Sequence, residues 1–182
     1  DASSETLVLE DDLSYELYEQ INERFSSSEF LVIALSNDDI FSNVSLANLR
    51  NLEAELEQVV NVANVISVLD APLFEQPKLS LVKSATNDKY LLTDDLDLNS
   101  AKQELIESPL FNELIVNNSG TAVAMQINLD DAVDYDTTVK QIRDILNEEI
   151  NFKSYLAGPA MIVSDTISFI KNDVLIFGCL TF

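Results

Sequence analysis

The chain has 182 residues, 47% of them hydrophobic, and 32 acidic side chains against 10 basic ones, for a formal charge of −22. The length is enough for one full core or two small ones, and the apolar content argues against disorder. The charge repels phosphate backbones and anionic lipid, which argues against nucleic acid as a partner, and the absence of histidine removes the commonest general base and metal ligand.

Residues 1–12 read as an acidic, extended lead-in, in which Leu7-Val8-Leu9 is either a short strand or a docking segment. Leu17, Ile21 and Phe25 recur at helical spacing and predict a helix over 13–25. Phe30 to Leu35 is a continuous apolar run between turn formers, the pattern of a central strand buried on both faces or nearly so. Leu46, Leu49, Leu52, Leu56 and Val59 make one apolar helical stripe, with Arg50, Glu53, Glu55, Glu57 and Gln58 largely outside it and Ser42 or Ser45 as the cap. Val65 to Leu69 is the next expected strand.

Residues 71–100 are irregular, broken by Pro72 and Pro77, with a brief strand expected at Leu79–Val82. Ser100-Ala-Lys-Gln103 has capping-box form and opens a short helix that ends before Pro109. Asn117-Asn118-Ser119-Gly120 signals a turn, and Leu114–Val116 is placed to form a hairpin across it with the following strand. Thr121 to Leu129 alternates cleanly: Val123, Met125, Ile127 and Leu129 point one way, Ala122, Ala124, Gln126 and Asn128 the other. Val139, Ile142, Leu146 and Ile150 then mark a helix, and Phe152 to Ala157 a short strand that ends at Gly158-Pro159.

Two strand–helix–strand units give an α+β fold of the ferredoxin-like, split β-α-β–β-α-β kind, with a long insertion over 71–120 and extra terminal helices. From Ala160 a further helix is expected, with Val163, Ile167, Ile170, Val174 and Phe177 in register. Beyond Asp173 its polar face vanishes, and Val174 to Phe182 carries no charge. That is the profile of a helix leaving water for hydrocarbon, although nothing in the chain reaches the ~20 apolar residues of a complete span. The competing reading is a terminal helix packed on the core or on a second copy. The N-terminus lacks the basic start and apolar stretch of a signal peptide, so the chain reads as a piece of a longer protein.

Little in the sequence carries catalytic or metal chemistry. Three glycines make no phosphate loop, and one cysteine without histidine makes no zinc site. Glu10-Asp11-Asp12 and Asp94-Asp95-x-Asp97 lack the ligand spacing and turn glycine of an EF-hand and read as solvated loops. Aromatic and methionine side chains near connections are the better candidates. Phe74, Phe111, Met125 and Met161 are nominated to line a groove for an apolar ligand, between the helices and the 71–120 insertion, with core packing as the plainer reading of each.

Four segments in order resemble the first large extracytoplasmic loop of RND-superfamily exporters of the MMPL-like type. They are the lead-in to Phe25 and Phe30; the stretch with Phe41, Leu46 and Leu49, running on to Val65, Ser67, Val68 and Leu69; Ser108-Pro109-Leu110 followed by Gly120; and Gly158-Pro159 with Asp165 and Asp173. The resemblance implies a porter-type domain over 30–158, preceded by a lead-in and helix over 1–29. It implies that 159–182 is a helix leading into a transmembrane segment cut short. It further implies an inner-membrane exporter driven by ion flow, with this domain on the periplasmic or extracytoplasmic side. The cargo would be a hydrophobic or amphipathic small molecule or lipid. The partners would be the second porter loop and membrane helices of the same transporter, in an oligomer. No cofactor and no catalysis are expected. The alternatives are an extracytoplasmic interaction module without transport, or a dimeric ferredoxin-like domain that senses a small molecule.

Overall fold

The computed structural model describes residues 29–75, 90–93, 96–130 and 135–181. The expected helix at 13–25, the strand at Leu79–Val82 and the acidic runs Glu10–Asp12 and Asp94-Asp95 lie outside the described residues.

Four strands, β1 (Phe30–Ser36), β2 (Val62–Ile66), β3 (Ala122–Leu129) and β4 (Lys153–Ala157), form one sheet in the order β2-β3-β1-β4. All three pairings are antiparallel. β1 and β2 therefore run the same way with β3 between them, and β3 and β4 the same way with β1 between them. Helix α1 (Asn43–Leu56) crosses from β1 to β2, α2 (Leu98–Glu107) lies between β2 and β3, and α3 (Tyr135–Glu148) crosses from β3 to β4. The last helix, α4 (Pro159–Thr181), follows β4 after a single residue.

The core lies between one sheet face and the helices. Leu31, Ile33 and Leu35 of β1 and Val123, Met125, Ile127 and Leu129 of β3 pack with Leu46, Leu49, Leu52 and Leu56 of α1 and Val139, Ile142 and Leu146 of α3. Each of these buried side chains contributes roughly 1.5–3 kcal/mol. β3 follows its alternation residue by residue. β1 does not: it is buried on one face only, because Phe30, Val32 and Ala34 point to the side away from α1 and α3 and remain half-buried or exposed.

Local chemistry moved several boundaries. Ser42 caps α1, its Oγ accepting from the Ser45 N–H at 3.2 Å. Glu53 is buried rather than outside the stripe, since it stands one helical turn after Leu49 and accepts from the Ser67 Oγ–H at 3.3 Å. β2 ends at Ile66, not Leu69: Ser67 and Asp70 close a capping box that winds Val68–Asp70 into a 3-10 turn. α2 begins at Leu98 because Asp97 caps it, accepting from the Asn99 N–H and the Ser100 hydroxyl. Ser100 is thus inside the helix rather than its cap. Ile150 lies past the end of α3 and is 92% exposed, so it does not belong to that helix's stripe.

The Asn117–Gly120 turn forms as expected. Asn117 Oδ1 accepts from the Thr121 and Ala122 N–H groups, and Gly120 takes φ +62°. Across it Val116 bridges Val123, and the Ala124 N–H donates to the Ile115 carbonyl at 2.9 Å. Residues 115–117 thereby continue the line of β2 along the same side of β3.

Candidate functional site

The sheet face that no helix covers among the described residues is the most distinctive surface. Across its middle, Ile66, Gln126, Val32 and Ala157 stand in one cross-strand row and Ala124, Ala34 and Tyr155 in the next. Small and apolar residues dominate both rows. The 110–117 segment stands beside them as a wall, with Leu110 and Leu114 exposed, the latter 71%.

Between wall and sheet lies a depression of about 380 Å³, lined by Val32, Ile66, Leu110, Phe111, Leu114, Ala124 and their neighbours, with Ser67, Asp70 and Gln126 as polar lining residues. A second depression of about 320 Å³ adjoins it and shares Leu114, Ile115 and Ala124, with Glu113 on its rim. Among the described residues, no lysine or arginine lines either one. Together they fall within the ~300–1,000 Å³ of small-molecule pockets.

Of the four nominated residues, Phe111 lines this groove, and Phe74, Met125 and Met161 do not. Phe74 is 75% exposed on the loop after the 3-10 turn, where the Glu104 carboxylate accepts its N–H. Met125 is completely buried on the helix side of β3. Met161 is half-buried at the start of α4, packed against the core. The four are therefore not brought together. The sequence reading missed Val32, Ile66, Leu114 and Ala124, although a signal was present. A strand apolar on both faces, paired with one whose second face carries Ala122 and Ala124, supplies an apolar surface for which α1 and α3, both on the other side, provide no cover.

The second feature is the junction of α3 and α4. α4 docks through Ala160 and Ser164, both buried, with Met161, Val163, Asp165 and Ile167 half-buried beside them. The expected stripe through Val163, Ile167 and Ile170 is therefore only the flank of the docked face. The docked face also carries polar groups, which α3 matches. Arg143 grips Asp165 with two parallel hydrogen bonds of 2.8 and 2.9 Å. Asp136 accepts from Ser164 at 3.3 Å, Ser168 at 3.2 Å and Lys171 at 3.2 Å.

These partners hold both carboxyls below their ordinary value of 3.8: hydrogen bonding from Arg143 for Asp165, and from Lys171 and then Ser168 for Asp136. A depressed carboxylate contributes stability above its unfolded value and loses it as pH falls through the folded value. The docking of α4 is accordingly expected to weaken only below about pH 4, detectable as increased amide exchange over 160–171. Arg143 and Asp165 are partly exposed, so a double-mutant cycle on this pair should return no more than about 1 kcal/mol.

Past Lys171, residues 172–178 of α4 are exposed. Val174, Leu175, Ile176 and Phe177 are between 48% and 66% exposed, and they cover every side of the helix. Among the described residues, no helix is long and apolar enough to cross a membrane. Among the same residues, no group of three or more Cys, Asp or Glu is placed to hold a metal ion.

A comparison with known families matches the MMPL family over residues 15–182. No curated protein and no solved structure matches the chain.

Proposed function

Because the chain belongs to the MMPL family, whose members are inner-membrane transporters of hydrophobic substrates and not enzymes, we propose that it is the first extracytoplasmic porter-type domain of an ion-driven RND-type exporter. Its work in this reading is to capture or pass hydrophobic or amphipathic cargo beside the second porter loop, within an oligomer. The interleaved strand order and the two crossover helices support reading the fold as the ferredoxin-like split β-α-β arrangement.

The observation that carries the proposal is α4. It is fastened to α3 between Ser164 and Lys171, and beyond that Val174 to Phe177 are apolar on every side of the helix and exposed. A helix hydrophobic on every side requires a buried or lipid setting. Residues 174–178 are, in this reading, the entry into the bilayer, and the α3 junction fixes the sheet at a set height above the membrane.

Flotation with neutral phosphatidylcholine vesicles tests this. The chain should float with the vesicles, and the double variant Ile176→Asp, Phe177→Asp should bind at least about tenfold more weakly, since a carboxylate within hydrocarbon costs about 2.5–3.5 kcal/mol. Equal flotation of the two proteins, or none by the wild type, would sink the proposal.

A further inference from the structure

We infer that the groove on the open sheet face is a binding site for a single amphiphile whose head is cationic. The inference rests on the transporter reading above and narrows its cargo.

Three observations meet here. The walls are apolar: Val32, Ile66, Leu110, Phe111, Leu114 and Ala124 offer carbon to a chain lying along the sheet. The two adjoining depressions share Leu114, Ile115 and Ala124, so the surface is elongated and suits an extended tail. Among the described residues, the charges that line the groove are of one sign, Asp70 in one depression and Glu113 in the other; Lys153, over the Tyr155 ring farther along the sheet, is not among the lining residues. The chain around it carries −22.

Charge then selects among tails of equal length. Apolar burial is blind to the head, and contributes alike for cationic, neutral and anionic amphiphiles. The field of the protein is not blind: it concentrates cations at the surface and repels anions, and a low-dielectric wall sharpens this. The carboxylate of Asp70 need not release the Ser67 N–H it holds at 2.8 Å, since a cation is attracted to the charge without replacing that bond.

The experiment compares dodecyltrimethylammonium, dodecyl maltoside and dodecyl sulfate, each below its micelle concentration, by calorimetric titration and by amide shifts in NMR. The expected order is cation, then neutral, then anion, with at least about tenfold between the extremes and a smaller gap at high salt. Shifts should centre on Ile66, Leu114, Ala124 and Gln126. Ala124→Trp, which fills the groove without altering charge, should weaken the cation about tenfold or more. Leu114→Asp should weaken it as well, although that variant is more negative. Both positions are on the open face, and circular dichroism checks that the variants fold.

Non-specific coating of an acidic protein would behave oppositely. It would leave Ala124→Trp unchanged and strengthen binding to Leu114→Asp, and either result overturns the site. Equal affinity for cationic and neutral heads overturns the assignment of the head. Failure of all three probes overturns the groove, and leaves the vesicle result of α4 to decide the transporter reading separately.

Discussion

Replacing Gly158 by alanine should destabilise the domain by about 3 kcal/mol or more, among the largest effects available to a single methyl group here. Gly158 joins β4 to α4 with φ +137°, a backbone conformation that side-chain-bearing residues rarely adopt. A Cβ at this position would stand 2.7 Å from the Phe30 carbonyl oxygen and 3.0 Å from the Leu31 Cα. Both obstacles are backbone of a central strand, which cannot yield without disturbing the β1 pairings. Gly120→Ala is the informative control. Gly120 also has positive φ, but a Cβ there meets the Lys102 and Ile106 side chains, whose flexible ends can move. It should cost about 1–2 kcal/mol. Urea unfolding of the two variants gives the comparison, and equal midpoints would show that the β1 contact is not the constraint.

Met125→Ala should cost about 2–5 kcal/mol, the range for emptying a fully buried site of this size. Met125 sits on the helix side of β3 with no exposure, opposite the face that carries Ala124 and Gln126. Its loss should lower the unfolding midpoint while leaving amphiphile binding at 25 °C close to wild type, provided the variant is still folded. Loss of binding at unchanged stability would return Met125 to the role of a ligand contact.

The contrast between Met125 and Ala124 shows what could be read from the sequence. Alternation over 121–129 assigns each residue to one of two faces, and the burial of β3 follows it. Alternation does not say which face the helices cover completely, or whether an uncovered face is flat or walled. The wall comes from Leu110 to Asn117, and its position depends on Asn117 and Gly120 closing the turn against β3. No periodicity encodes that. α1 was legible because its stripe of leucines is regular, yet Glu53 was misplaced. Its burial depends on the hydroxyl of Ser67, fourteen residues away, which no local pattern reveals. In α4 the helix was legible and its docked face was not. Hydropathy points to Val163, Ile167 and Ile170, whereas the buried contacts are Ala160 and Ser164, beside the bonds that Asp165 and Ser164 make with Arg143 and Asp136.

That polar junction makes α4 a lever. Its 23 residues extend about 34 Å, and its hydrogen bonds with Arg143 and Asp136 of α3 lie between Ser164 and Lys171, leaving the last ten residues beyond them. Hydrogen bonds and ion pairs are directional, unlike an oily contact that permits sliding. A sideways push on the far end of α4 therefore cannot be absorbed by slippage at the junction. It either breaks the Arg143–Asp165 pair or turns α3, and the strands packed beneath α3, as one piece.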